Sequence, residues 1–225
     1  MSFKEKVFEI VKRIPPGKFL TYKEVARLAG NEKAYRVVGN LMRNIGIIKS
    51  ICLQVIPRSP QPQKCLRTFF RRNDLQANAY YIQSINKKIF PCHRVIKNDY
   101  TVGGYLGRND LSWLKLALLL KEGAIAVMPT DTIYGICTSA LNKKSVEKVY
   151  KLRKRNPQKP CIILISKLDE LKNFGVYIDK KILNILKNIW PSRISIVLPI
   201  KDKEKIKEFE YLHRGTNTLA FRLPN

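Results

Sequence analysis

The hydrophobic texture of the chain changes at Ala124. Before that point apolar residues recur at helical spacing. After it they gather into short runs separated by helical stretches. One period cannot serve both parts, because a helix repeats every ~3.6 residues and a strand every ~2. The chain is therefore expected to hold two differently built parts, 1–122 and 123–225, with no Gly- or Pro-rich linker across Leu119–Gly123. A length of 225 residues accommodates one large domain or two small ones.

In the first part, Phe3, Val7, Ile10 and Val11 share one face of a helix over 3–13, which Ile14-Pro15-Pro16-Gly17-Lys18 breaks. Thr21 with Glu24 three residues on is a capping box. It opens a helix over 22–29 that should bury Val25, Ala26 and Leu28 and end at Gly30. A further helix over Lys33–Arg43 should turn Val37, Val38, Leu41 and Met42 inward. Two short helices around a Gly-containing turn fit a helix-turn-helix, and equally any small helical hairpin. Residues 46–88 carry no sustained period, eight Lys or Arg and one acid, Asp74. They form either a basic insertion that touches nucleic acid or bystander sequence. A helix over Leu111–Lys121, closed by Gly123, ends this part.

The second part reads as a strand over Ala124–Met128, a polar turn over Pro129–Gly135 and a helix over Ser145–Arg153. A buried strand over Cys161–Ile165 follows, then a helix over Lys180–Ile189 and strands over Ile194–Leu198 and Thr218–Leu223. Such alternation points to an α/β layer. With Asn225 so soon after the last strand, that strand is expected at an exposed, unpaired edge.

Lys and Arg number 43 against 17 Asp and Glu, a formal charge of +26. Such a charge favours polyanionic partners, nucleic acid above all, although a lysine-rich genome composition would also raise it. No run approaches the ~20 apolar residues of a membrane span, so no membrane partner is expected. The start has no signal-peptide pattern. Five cysteines without a CxxC pair disfavour a disulfide framework or a zinc site, and reduced thiols fit a cytoplasmic protein.

Cys92 lies in Phe90-Pro91-Cys92-His93-Arg94-Val95-Ile96. A lone cysteine is often a small core residue, but cationic neighbours favour the nucleophilic thiolate. A thioether product has no easy leaving route, so such a site would act once per molecule.

Residues 3–123 resemble the DNA-binding catalytic domain of the methylated-DNA–protein-cysteine methyltransferases. The resemblance rests on FKEKVFEIVKRIPPGKFLTYKEVARLAG, YRVVGNLMRN, FPCHRVI, VGGYLG and LKLALLLKEG in that order. It implies that a guanine alkylated at O6 is flipped from duplex DNA and that Cys92 accepts the alkyl group. By the same resemblance, His93 relays a proton from the cysteine through water and Glu122 closes the relay. Arg36 fills the vacated stack, Tyr22 presses on the target phosphate, Tyr105 contacts the flipped base and Arg94 joins the DNA-binding set. Asn44 stands for an asparagine on the turn after the recognition helix. Alkyl transfer requires no cofactor. The family runs from that helix straight to its Pro-Cys-His-Arg-Val strand, whereas this chain inserts 46–88.

Residues 121–225 resemble the opening half of the YrdC-like threonylcarbamoyl-AMP synthases. KEGAIAVMPTDTIYGICTSA, YKLRKRNPQKPCIILIS, IWPSRISIVLP and LAFRLPN carry the match. The resemblance implies that Arg153, Arg155 and Lys159 face nucleotide phosphates. It places Thr130, Thr132, Tyr134 and Ser195 around the same pocket, with ATP and Mg as candidate cofactors. It further implies that the family's pocket is closed by chain beyond the point matching Asn225, so that synthase activity is not expected of this sequence.

The fold class expected is α+β: a winged helix-turn-helix-like alkyltransferase domain followed by an incomplete α/β YrdC-like domain. The expected function is stoichiometric transfer of an alkyl group from guanine O6 in double-stranded DNA to Cys92, by a monomer. The alternatives are threonylcarbamoyl-AMP synthesis for tRNA modification, with ATP and tRNA-modification partners, or lesion binding without chemistry.

Overall fold

Ser2 and Glu5 cap each other's backbone and start the first helix, α1 (Phe3–Lys12). Val7 and Val11, four apart and hence on one face, are fully buried there. The structure, a computed structural model, describes residues 1–48, 90–105 and 109–224. The insertion from residue 49 to 88, and Leu106 and Gly107 of the glycine-rich motif, lie outside the described residues. The chain divides into two compact units; among the described residues the first runs to Ala124 and the second starts at Ile125.

In the first unit, β1 (Leu20–Thr21) pairs in parallel with β2 (Val95–Ile96), setting Leu20 against Val95 and Thr21 against Ile96. This pairing brings the segment after Cys92 to the start of α2 (Tyr22–Leu28). The expected capping box is present: the Thr21 hydroxyl accepts from the Glu24 N–H and the Glu24 carboxylate from the Thr21 N–H. Gly30, at φ +97°, ends α2 in a conformation that suits glycine. A 3-10 turn (Glu32–Ala34) leads into α3 (Tyr35–Ile48). The last helix of the unit is α4 (Ser112–Lys121). Val7, Val11, Val25, Val38, Val95 and Leu114 lie at the centre of its core, each worth ~1.5–3 kcal/mol once out of water.

Three expectations are corrected here. Leu28 is 57% exposed and lines an open apolar groove with Ile10, Ile14 and Phe19 instead of filling the core. Val37 is 47% exposed, being turned about 100° from its buried neighbour Val38. The helix expected to stop at Arg43 continues to Ile48, so 46–48 belong to α3 and not to an aperiodic insertion.

In the second unit, β3 (Ala126–Pro129) and β4 (Tyr134–Cys137) form an antiparallel hairpin, with Pro129 opposite Tyr134. Only residues 130–133 are turn. Its closure comes from the Thr130 hydroxyl and N–H, which both donate to the Ile133 carbonyl, at 2.7 and 3.1 Å. Tyr134 thus opens a strand rather than completing a turn. Then come α5 (Lys143–Leu152), β5 (Ile162–Leu164) and α6 (Lys180–Ile189), the last with the expected bounds. After β6 (Ile196–Pro199) come two short helices that the pattern did not reveal, α7 (Lys203–Glu208) and α8 (Glu210–His213). The unit closes with β7 (Thr218–Arg222).

The sheet order is β5-β7-β6, with β7 parallel to β5 and antiparallel to β6. β7 is therefore the central strand, against the expectation of an unpaired edge. Its alternation explains why: Leu219 and Phe221 point into the core and are fully buried. Phe221 stacks edge-on against Phe174, which also meets Phe209 at 5.3 Å. The strand expected to be fully buried, at 161–165, is shorter and one-sided, with Ile162 47% exposed and Ile163 buried.

Candidate functional site

Pro91 precedes a 3-10 turn, Cys92–Arg94, closed by the Arg94 N–H donating to the Pro91 carbonyl at 3.0 Å. The turn buries Cys92 and His93 together. Glu122, the residue that caps the C-terminus of α4, meets them there. A carboxylate at the negative end of a helix is unfavourable by itself, and cations compensate. His93 Nε2 lies 2.9 Å from Glu122 Oε1. Arg94 donates twice to the same carboxylate, Nε to Oε2 at 2.9 Å and Nη2 to Oε1 at 2.7 Å, while its Nη1 donates to the Ile14 carbonyl at 2.6 Å. Burial alone would raise the Glu122 pKa. The hydrogen bonds from His93 and Arg94 outweigh it and hold the group down at about 2. Glu122 is therefore ionised at neutral pH, and His93 Nε2 must carry the proton it donates. His93 Nδ1 is buried and has no hydrogen-bond partner among the described residues.

Gly17 fixes the depth of this arrangement. At φ +73°, a Cβ placed on it would come within 2.6 Å of the Glu122 carbonyl oxygen. Only glycine lets the Pro15-Pro16-Gly17 bend lie this close, where its N–H donates to Glu122 Oε2 at 3.4 Å.

Cys92 opens onto a cleft of about 440 Å³ lined by Tyr22, Arg36, Asn40, Arg43, Tyr105 and Lys115 among others. Of the residues expected from the sequence, Tyr22, Arg36, Cys92 and Tyr105 are brought together here. Burial raises the Tyr22 pKa, the nearby Cys92 adds to the rise, and Arg43 opposes it. Two expected residues are elsewhere. Arg94, expected on DNA, has its guanidinium engaged inside by Glu122 and Ile14. Asn44, expected on a turn at the active site, sits on the continuing α3, exposed and away from the cleft lining; Asn40, one turn earlier, lines it instead. Sequence reasoning also missed Lys115, which is 1% exposed. Helical spacing carried the signal, because position 115 shares a face with Leu111, Leu118 and Leu119, all buried.

In the second unit the expected residues stay local. Thr130 and Thr132 meet at the hairpin turn, their hydroxyl oxygens 3.2 Å apart. Tyr134 is 71% exposed at the start of β4. Arg153 and Lys159 are exposed on the segment after α5. Arg155 turns back on that segment, Nε donating to the Lys159 carbonyl at 3.1 Å and Nη2 to the Pro160 carbonyl at 2.9 Å. Ser195 is exposed just before β6. Among the described residues, no hydrogen bond or ion pair ties the two threonines to these cations. The PTDTIYG motif reaches the sheet through Asp131, whose buried side chain lies 3.4 Å from Arg222 on β7. Among the described residues no three His, Cys, Asp or Glu side chains gather to hold a metal ion. Nor is any described helix long and apolar enough to cross a membrane.

In the first unit a buried cysteine thus opens on a cation-lined cleft beside two helices, α2 and α3. Residues 2–61 match the family model described as "6-O-methylguanine DNA methyltransferase, DNA binding domain". Residues 118–225 match the Sua5–YciO–YrdC model, described as "Telomere recombination". Both resemblances seen in the sequence are thus present, one in each part of the chain. The threonylcarbamoyl-AMP synthase of Bacillus subtilis (strain 168) is 28% identical over 120 residues, covering 53% of this chain and 34% of that protein. The threonylcarbamoyl-AMP synthase of Pyrococcus abyssi is 28% identical over 105 residues, covering 47% of this chain and 30% of that protein. The chain thus spans about a third of the length of these curated relatives. A crystal structure of S. pombe Atl1 in complex with damaged DNA containing O6-carboxymethylguanine covers 61% of this chain and 88% of its own, at 21% identity and a TM-score of 0.34.

Proposed function

We propose that the first unit removes alkyl groups from O6 of guanine in double-stranded DNA by transferring them, once, to Cys92. The observation that carries this reading is the position of Cys92: buried, next to the His93–Glu122 pair, and facing a cleft lined by Tyr22 and Arg36. A cleft of about 440 Å³ is within the ~300–1,000 Å³ of small-ligand pockets and has room for one extruded base. In the step proposed, the Cys92 proton leaves toward His93, whose Nδ1 can accept it. The sulfur then bonds to the alkyl carbon as the carbon–O6 bond breaks. The electron pair passes to the purine, which takes up a proton. Arg36, exposed at the cleft, would stand in the stack that the base has left. The test is incubation with a duplex carrying O6-methylguanine, followed by mass spectrometry of the cysteine peptides. One methyl mass on Cys92 is expected. No gain there, with DNA binding intact, would leave a lesion binder without chemistry.

The matches of the second unit favour a second reading, threonylcarbamoyl-AMP synthesis from threonine, bicarbonate and ATP. Arg153, Arg155 and Lys159 supply cations for phosphates. It ranks second because Arg155 is occupied with carbonyls of its own segment. Pyrophosphate released above the level of an Arg155→Ala control would make the two readings equal.

A further inference from the structure

We propose that the open groove between α1, the bend at 14–19 and the end of α2 docks an acidic amphipathic helix of a partner protein. Ile10, Ile14, Phe19 and Leu28 line the groove, and Arg13 and Lys18 are its charged members. Phe19 and Leu28 remain exposed, although Val25 on the same helix as Leu28 is fully buried. Tyr100 extends this surface. Its ring meets Phe19 edge-on with the centres 6.5 Å apart, and it is itself exposed. Its backbone stands at φ +60°, a conformation uncommon for a tyrosine, in a turn where its N–H donates to the Lys97 carbonyl at 3.1 Å. Large apolar side chains gathered on a surface mark a place for a partner. A groove of about 370 Å³, at the small end of ligand sites, takes a few side chains rather than a broad protein face.

Charge selects the occupant. Arg13 and Lys18 are exposed, and among the described residues neither has an ion-pair partner. The acids close to the patch in sequence are committed elsewhere. Glu9 pairs with Lys12 at 2.9 Å, and Asp99 accepts from the Thr101 N–H and hydroxyl at 3.0 and 2.7 Å. An apolar floor beside unmatched cations fits a helix whose apolar stripe enters the groove while its carboxylates meet Arg13 and Lys18. A second copy of this chain would bring a further +26 and is repelled. Nucleic acid could answer the cations but would leave the apolar floor unfilled. The groove shares no lining residue with the Cys92 cleft, so both can be occupied together. Yet one bend backs both. Ile14, a lining residue of the groove, gives its carbonyl to Arg94, and the Gly17 N–H donates to Glu122. A docked partner therefore rests on the segment that holds the surroundings of Cys92.

The probe is a labelled synthetic helix of about 14 residues, four turns, with Leu and Phe on one face and Glu on the other. Its binding to the full chain is followed by fluorescence anisotropy. A Kd of about 10–100 μM is expected. A scrambled peptide of the same composition, and a version with Lys in place of Glu, should each bind at least about tenfold more weakly. Leu28→Glu puts a like charge on the apolar floor at an exposed position, and Arg13→Glu/Lys18→Glu reverses the two cations. Either variant should weaken the peptide about tenfold or more. An unmodified DNA duplex should not displace it. The proposal is overturned if the scrambled peptide binds equally well, since net charge alone would then explain the affinity. It is also overturned if both variants bind like wild type, or if the duplex displaces the peptide, which would assign the contact to a nucleic-acid surface. None of these outcomes depends on whether Cys92 accepts an alkyl group, so this proposal and the repair reading stand or fall separately.

Discussion

Around Cys92, charged side chains are buried against one another and come from distant parts of the chain. Glu122 closes one helix, Arg94 follows the cysteine, and the Ile14 carbonyl belongs to the first bend. Around Thr130 and Arg155 the motif residues bond to their own loops and face outward. In the first unit the surroundings of Cys92 are assembled by tertiary structure, so the side chains beside the cysteine also hold the fold. In the second unit, the outward-facing motif side chains Thr132, Tyr134 and Arg153 should be replaceable with little loss of fold, whereas Asp131 is tied to Arg222 on β7. The two regions should therefore respond to substitution on different scales.

The largest difference is expected from Glu122→Gln. It leaves the buried Arg94 guanidinium without its counter-charge, and breaking such a pair costs ~3–5 kcal/mol. Urea unfolding at pH 7, followed by the fluorescence of Trp113, should show a loss of that order in the first unit. The contribution also has a pH signature. With the Glu122 pKa held near 2, below its ordinary 4.5, the stabilisation is complete above 4.5 and is lost as the pH falls through 2. A variant as stable as wild type at pH 7 would mean the network is ornamental, and the contrast between the two units would collapse.

Lys115 gives the next effect, a buried charge that costs stability where Glu122 adds to it. Its folded-state pKa, about 8 against an ordinary 10.5, means that the unfolded chain binds more protons between those values. Stability should therefore rise with pH across that window, by up to about 3 kcal/mol relative to Lys115→Met. Flat urea midpoints from pH 8 to 10.5, after subtracting the variant, would show that the buried lysine is not strained.

In the second unit, Arg155→Ala should cost about 1 kcal/mol through its two carbonyl bonds. Arg153→Ala, at an exposed position, should stay within about 0.5 kcal/mol. Thermal melts of the two variants would sharpen the comparison. If Arg153 matters more for stability than Arg155, the segment after α5 is held by contacts other than those described.

Local rules were legible in the sequence. Thr21 and Glu24 announce their helix start by chemistry confined to four residues, and the apolar spacing of Lys180–Ile189 yields the bounds of its helix. Pro-Cys-His-Arg-Val marked the turn that sets Cys92 against the cleft. Arg94 was misjudged because nothing local shows that Glu122 and Ile14 lie within reach of it. Asn44 was misplaced because Ile45, Ile47 and Ile48 extend the apolar spacing of α3 past the expected stop, so Asn40 takes the position in the cleft. Lys115 hides behind the habit of reading lysine as surface, although its helical neighbours are apolar. The two short helices at 203–213 fall below the length at which a period can be counted.

The place of β7 between β5 and β6 has a consequence for how the protein comes into being on the ribosome. The strands it joins are made earlier, but they share no ladder with each other. Neither can complete its hydrogen bonding until the segment through Arg222 has emerged. Leu219 and Phe221, which carry the centre of the core, arrive at the same late moment. The helices of the first unit that precede the insertion make their contacts with one another much sooner. Nascent chains should thus pass through a stage in which the first unit is forming while Ile163, Phe174 and Leu198 still wait for their partner strand. That interval is when the second unit is most exposed to misassembly or to a chaperone.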